Sequence, residues 1–403
     1  MAPSTRFLRG TAALFALFVL NLPATADNPS PPLACEVAVD GRAIQPEAPI
    51  GQLKMALRAD GRPLLAVTTN IQNESELYLL DCADGGCGSG TVQLLDQSSN
   101  YNSPPGLLLR EDGRPAIAAP WQGGINYYDC SDAGCAYRQV RPLVPSGNYQ
   151  VDEAPLVELD QGRVAMVYRA PPFSAQTNDL LAYVCNDGSC QSGSTRTVLD
   201  VPAEISRNYV DLVASSDGQG GLLASWIQFT VGSEIAWELQ RCPLGLCSGA
   251  APAVVAGRAE PESAPERVAM RVRADGRPLL LDAQRGSRAL IDCQDTNCSV
   301  RVQRPLPIEG DTEVGGLELD AQGHAVFFER PPGRLVFRVC ADAACTTASA
   351  SPVEVPTVRP QVWDLQRRAN GELVLAYTTV ETRELRIATC SEAPFFADGF
   401  EPR

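Results

Sequence analysis

The chain has 403 residues, 44 % hydrophobic and only 20 % charged, enough to bury a substantial core in one large domain or in two or three ordinary ones. Its formal charge is −15, and loss of the first 26 residues, which hold Arg6, Arg9 and no acid, would take it to −17. Such a polyanion makes nucleic acid or an anionic membrane surface a poor partner.

The N-terminus reads as an address. Arg6 and Arg9 precede an apolar stretch from Thr11 to Leu22, followed by Pro23 and the small-residue pattern Ala24-Thr25-Ala26. A charged start, a short apolar run and an A-x-A site predict a cleaved signal peptide over residues 1–26. The run is too short to span a bilayer, and no later segment reaches 18 consecutive apolar residues. Residues 27–34, rich in Pro, read as a flexible leader. With 14 Cys, an even count, an exported chain implies disulfides and an oxidising location: secreted, periplasmic or on the outer surface.

One pattern then recurs seven times: an apolar run, a Gly turn, a second apolar run, a variable loop and a third run ending in Cys. The turns are Asp60-Gly61, Asp112-Gly113, Gln161-Gly162, Asp217-Gly218, Asp275-Gly276, Gln322-Gly323 and Asn370-Gly371, spaced 47 to 58 residues apart. The closing Cys are Cys82, Cys130, Cys185, Cys242, Cys293, Cys340 and Cys390. Several short β-rich runs per repeat of this length predict an all-β, seven-bladed β-propeller with four antiparallel strands per blade over residues 35–395. In the second unit the expected strands are Leu107–Leu109, Pro115–Pro120, Ile125–Cys130 and Cys135–Val140. The second run is apolar on successive residues, as in Pro63-Leu64-Leu65-Ala66-Val67, which fits a strand covered on both faces.

Six units carry Cys-x4-Cys, predicting the bridges Cys82–Cys87, Cys130–Cys135, Cys185–Cys190, Cys242–Cys247, Cys293–Cys298 and Cys340–Cys345. The expected geometry places the two Cys opposite each other across a hairpin, in a non-hydrogen-bonded pair about 4.5 Å apart. Asp84, Asp132, Asp187, Asp295 and Asp342 take the same turn position, where an Asp side chain stabilises the bend; Leu244 departs. In the seventh unit Phe395 stands where the partner of Cys390 should be, and the remaining Cys is Cys35, followed by the strand-like Glu36-Val37-Ala38-Val39. The N-terminal strand is therefore expected to complete the last blade, latched by Cys35–Cys390. A zinc reading of the Cys pairs is weaker, because each hairpin offers two ligands where a structural site needs four.

The unit from Asp60 to Cys87 (DGRPLLAV…LYLLDCADGGC) resembles a DG-x-P…C-x4-C repeat of exported bacterial proteins assigned to seven-bladed propellers. The resemblance runs from Cys35 to about Phe395 and implies architecture, since that group has no single function. Residues 396–403 contain Phe396-Ala397-Asp398-Gly399-Phe400-Glu401, which is similar to a short tail on exported proteins of some gammaproteobacteria and implies a sorting or secretion tag.

Chemistry is thinly signalled. His324 sits in the sixth Gly turn, at a place held elsewhere by Arg, Gln or Glu, so an exposed polar side chain is the simplest reading. Lys54 opens the first inner strand with no acid or aromatic residue beside it in sequence. There is no G-x-S-x-G, H-E-x-x-H, phosphate loop, dinucleotide fingerprint or sialidase-type S-x-D-x-G-x-T-W box. The loops joining second to third strands vary from about four residues (Trp121 to Gly124) to about ten (Ala170 to Asp179), on the face shared with the connections between units. Those connections hold Asn100-Tyr101, Asn148-Tyr149 and Asn208-Tyr209, with Asp152, Glu153 and Asp211 close by. They form the candidate binding residues, since Tyr faces and Asn amides suit sugar rings or peptides; the simpler reading of the same pairs is a duplicated packing element, with Tyr plugging seams between blades.

These observations lead to an exported binding or adhesion module for glycan or protein, without assigned catalytic residues. The alternatives are a carboxylate-dependent polysaccharide hydrolase or lyase and a purely structural envelope protein. A monomer is expected, with no metal or cofactor assigned; calcium at the channel mouth is the cofactor to test for, although no EF-type loop is present.

Overall fold

A computed structural model describes residues 33–38, 44–71, 74–98, 103–121, 124–144, 154–170, 179–199, 207–230, 235–243, 247, 252–258, 269–283, 288–308, 312–331, 334–353, 360–379 and 384–392. They form seven four-stranded antiparallel sheets. Blade 1 is β2 (Ile50–Leu57), β3 (Pro63–Ile71), β4 (Glu74–Cys82) and β5 (Gly90–Ser98). Blade 2 is β6 (Gly106–Leu109), β7 (Pro115–Trp121), β8 (Gly124–Cys130) and β9 (Arg138–Val144). Blade 3 is β10 (Leu156–Glu158), β11 (Val164–Ala170), β12 (Asp179–Cys185) and β13 (Gly193–Leu199). Blade 4 is β14 (Arg207–Ser216), β15 (Leu222–Thr230), β16 (Ile235–Cys242) and β17 (Ala253–Arg258). Blade 5 is β18 (Ala269–Val272), β19 (Pro278–Asp282), β20 (Ala289–Cys293) and β21 (Arg301–Pro305). Blade 6 is β22 (Glu313–Leu319), β23 (Ala325–Arg330), β24 (Leu335–Cys340) and β25 (Ala348–Val353). Blade 7 combines β26 (Pro360–Arg367), β27 (Leu373–Thr379) and β28 (Leu385–Glu392) with β1 (Leu33–Ala38), in the order β1-β28-β27-β26.

The expected seven-bladed ring and its closure by the N-terminal strand are therefore present. Cys35 faces Cys390 in the β1–β28 register, and the two are disulfide-bonded with Cα atoms 4.1 Å apart. The remaining twelve Cys form the six expected pairs within single blades. The predicted signal peptide, nearly all of the leader and the C-terminal tail lie outside the described residues.

The second strand of each blade carries the core. In β7 the residues Pro115 to Pro120 are all buried, as are all five residues of β19 and all seven of β27. Leu64 and Ala66 of blade 1 pack with Ile117 and Ala119 of blade 2, while Leu65 and Val67 pack with Val374 and Ala376 of blade 7, so both faces of β3 are covered by neighbouring blades. Outer strands are wetter: β9 holds only half-buried and exposed positions until Val144.

Two local expectations need correction. The fourth strand of blade 2 starts at Arg138 and not at Cys135, because residues 131–137 are spent on a wide turn. There Asp132 accepts backbone N–H bonds from Gly134, Ala136 and Tyr137 at 2.9, 3.2 and 2.8 Å. Cys130 pairs in register with Arg138, so the bridge does not join cross-strand partners; it ties the end of the third strand to a residue inside the turn. Cys135 has φ 59°, and Cys87, Cys190, Cys298 and Cys345 are left-handed as well. The bridge pins a backbone conformation that a non-glycine residue resists. In blade 4 the turn holds two left-handed glycines, Gly218 and Gly220, and the one equivalent to Gly61 is Gly220: Asp217 N–H bonds Gly221 O there, as Arg58 N–H bonds Arg62 O in blade 1.

Arginine side chains staple one blade to the next on this turn face. Arg58 pairs with Asp81 of its own blade at 2.8 Å and donates to Gly113 O and Ala133 O of blade 2. Arg368 of blade 7 donates to Gly61 O and Gly85 O of blade 1 at 2.8 and 2.7 Å, closing the ring on the same plan.

Candidate functional site

The seven inner strands surround a channel with a cavity of about 330 Å³, lined by residues from every blade. Equivalent levels follow from the first-to-second-strand register, in which Leu57, Leu109, Glu158, Ser216, Val272, Leu319 and Arg367 face Pro63, Pro115, Val164, Leu222, Pro278, Ala325 and Leu373. Three residues earlier in each blade stand Lys54, Gly106, Pro155, Val213, Ala269, Gly316 and Asp364, all of which line the cavity. Five of these are small or apolar, which leaves the lumen open at this level. The two charged residues come from blades 1 and 7, which adjoin where the ring closes.

Backbone packing explains the small residues. A Cβ on Gly106 would lie 2.2 Å from Ala154 O, so only glycine lets β6 approach the start of blade 3. A Cβ on Gly315 would meet the Phe328 and Trp363 rings at 2.6 and 2.8 Å, so that glycine makes room for Trp363 at the lumen. Trp363 packs edge-on against Phe328 at 5.5 Å, with the Arg330 guanidinium 5.8 Å from its ring centroid. Trp363 also follows an irregularity in the β26 pairing, and bulges of this kind re-aim side chains.

The charged groups are arranged in two pairs. Lys54 Nζ lies 3.2 and 3.0 Å from the two oxygens of Asp364, and Asp364 also accepts the Met55 N–H at 2.8 Å. Arg271 donates to Glu318 Oε1 through Nε at 2.9 Å and Nη2 at 2.5 Å, to Leu365 O at 3.1 Å and to Met270 O at 2.9 Å. Burial alone would lower the Arg271 guanidinium; Glu318, helped by Asp364, more than offsets this and raises it above its ordinary value. The pairs are thus electrostatically linked across β2, β26, β22 and β18. In both, the cation is the more exposed partner: side-chain exposure is 40 % for Lys54 against 10 % for Asp364, and 30 % for Arg271 against 10 % for Glu318. The opposite wall, from blades 2 to 4, is Leu107, Pro155, Leu156, Leu212 and Val213. The channel therefore has one polar flank, fronted by cations, and one apolar flank.

Among the residues singled out from sequence, Asn100, Tyr101, Asn148, Tyr149, Asp152 and Glu153 lie outside the described residues. Asn208 and Tyr209 are on β14, in register with Phe229 and Gln228, and Asp211 falls in the irregularity between Val210 and Val213, just before the channel-lining Leu212. His324 is on the turn face, with Nδ1 3.2 Å from Asp320 Oδ2. The sequence marks Lys54 but not its partner: Asp364 is 310 residues away, and ring closure brings the two together. The usable signal was that Lys54 is the sole lysine of the chain. Among the described residues no three or more His, Cys, Asp or Glu side chains gather as a metal site. No helix among them is long and apolar enough to cross a membrane.

No protein-family model and no curated protein sequence matches the chain. Solved structures do resemble it. A polysaccharide lyase, Uly1, aligns over 87 % of this chain and 91 % of its own, with TM-score 0.56 at 7 % identity. YCF48 from Cyanidioschyzon merolae covers 88 % and 98 %, with TM-score 0.51 at 10 % identity. A virginiamycin B lyase from Staphylococcus aureus covers 89 % and 99 %, with TM-score 0.50 at 8 % identity. At such identities the likeness is one of fold.

Proposed function

We propose that the protein is an exported, disulfide-pinned propeller that binds glycan in and around its central channel. The carrying observation is the two-sided lumen: a sugar ring has an apolar face and a hydrogen-bonding edge, and the channel offers a matching pair of flanks. Seven disulfides suit an oxidising compartment and support the export reading. Asp364 at the lumen and Glu318 behind Arg271 are each already engaged by a cation, which suits fixed hydrogen-bond acceptors better than a carboxylic acid kept protonated for glycoside hydrolysis.

The second reading is a carboxylate-dependent polysaccharide hydrolase or lyase, favoured by Asp364 lining the lumen beside Lys54, and compatible with a polysaccharide lyase sharing the fold. One experiment separates them. The purified protein is screened on a glycan array, and each bound glycan is then incubated with it and analysed for new reducing or unsaturated ends. Binding without products, weakened at least tenfold by Leu156→Arg, is expected. Products that disappear with Asp364→Asn would replace binding by catalysis, and an array without a bound glycan would refute the glycan reading.

A further inference from the structure

Building on that glycan reading, we infer that the channel holds a carboxylate subsite centred on Lys54, and that the glycan it takes is acidic, bearing a sugar carboxylate. The chain carries −15 overall, so its long-range field repels anions, and an anionic ligand needs a local cation that faces it. The channel provides one. In each charged pair the acid is tucked behind and the cation faces the opening, 40 % against 10 % exposed for Lys54 and Asp364.

The donor inventory points the same way. Arg271 spends its guanidinium on Glu318, Leu365 O and Met270 O, so it is held in place as part of the wall. The Lys54 ammonium has three donors and, among the described residues, the Asp364 carboxylate for a partner, which leaves N–H capacity on a side chain that lines the lumen. Asp364 meanwhile accepts from both Lys54 and the Met55 backbone, leaving it little capacity to receive a cationic ligand. An ammonium shared between an anchored Asp364 and an incoming carboxylate forms two charge-assisted bonds, while the small Gly106, Pro155 and Ala269 at the same level leave room for the ring. Nothing else in the chain competes for this role as a lysine, because Lys54 is the only one.

The test uses an array carrying carboxylated glycans, the same glycans as methyl esters, sulfated glycans and neutral glycans. Bound glycans are expected to carry free carboxylates. Lys54→Met should weaken them about ten- to a hundredfold, the loss of one hydrogen bond to a charged group, while Lys54→Arg retains most of the affinity. Ligand should also protect Lys54 from an amine-directed reagent, read by peptide mass spectrometry, with the N-terminal amine as internal reference. A thermal melt of Lys54→Met matching the parent within a few degrees separates lost contact from lost fold; if it melts early, the protection assay on the unmodified protein decides. Esters or neutral glycans binding as tightly as acids, indifferent to Lys54→Met, would overturn the carboxylate subsite and leave the glycan reading intact. Preference for sulfated over carboxylated glycans would overturn it as well. An array with no bound glycan would overturn both.

Discussion

The ring latch can be tested by replacing Cys35 and Cys390 together with Ala, so that no odd thiol remains. These residues are cross-strand partners separated by 355 positions, and the bond closes nearly the whole described chain. Treated as loss of loop entropy in the unfolded chain, a closure of that length contributes at most about 5–6 kcal/mol, whereas a bridge spanning five positions, such as Cys130–Cys135, contributes about 2 kcal/mol. Without the bond, β1 is still held by its six paired residues, by Leu33 N–H bonding Ser351 Oγ of blade 6 at 2.7 Å, and by Leu33 and Val37 against the blade 6–7 core. The ring should therefore still assemble, with β1 fraying first. The assay is guanidinium unfolding of the Cys35/Cys390 double variant beside Cys130→Ala/Cys135→Ala, with limited proteolysis reporting cleavage near residues 33–38. The latch variant should lose at least twice the stability of the local one. Equal losses, or non-reduced peptide maps joining Cys35 to another mate, would show that Cys35–Cys390 does not latch the ring.

Two further outcomes follow from side chains on the turn face. Arg368→Met removes a cation that holds two carbonyls of the next blade, at Gly61 and Gly85, and should cost about 2–4 kcal/mol with faster amide exchange confined to the blade 7–1 seam; a loss no larger than that of Arg62→Met, which pairs with Asp60 within its own turn, would show the staple to be idle. Partial burial would raise the Asp295 carboxyl, but hydrogen bonds from the Ser299 side chain and the Val300, Ser299 and Asn297 N–H groups outweigh it and hold it at about 2. Because the folded value lies below the unfolded one of about 3.9, its stabilisation is complete above that value and disappears as pH falls from about 4 towards 2. Asp84, Asp132 and Asp187 are likewise shifted down by their turn hydrogen bonds, so acid unfolding should steepen in this window, and Asp295→Asn should flatten it; an unchanged profile would contradict the assignment.

The architecture was legible because duplication wrote it seven times. A Gly turn and a closing Cys repeated at intervals of 47 to 58 residues left little choice of fold, and the unmatched Cys35 named the closing strand. Turn geometry was less legible. Spacing alone allowed Cys130 and Cys135 to face each other across a hairpin, but the Asp132 carboxylate gathers three N–H groups and widens the turn, so the second Cys ends left-handed inside it. Sequence spacing fixes which residues are near; the hydrogen-bond acceptor fixes how the backbone passes between them.

Equivalent positions in a repeat also separate scaffold from site. The residue opening each first turn is Arg58, Arg110, Leu159, Asp217, Arg273, Asp320 or Arg368, charged in six of seven blades. In blade 4 the polarity is inverted: Asp217 pairs with Arg241 at 2.9 Å, where blade 1 pairs Arg58 with Asp81. A position that accepts either sign, provided its partner takes the other, is selected for holding a blade together. The level of Lys54 behaves differently. Five of its seven members are small or apolar, so the propeller does not need charge there, and the two charges that do occur adjoin across the seam between blades 7 and 1. Under the glycan proposal this ion pair, whose more exposed cation lines the cavity, is assigned to the ligand, and its 310-residue separation hides the partner of Lys54 from a reading along the chain.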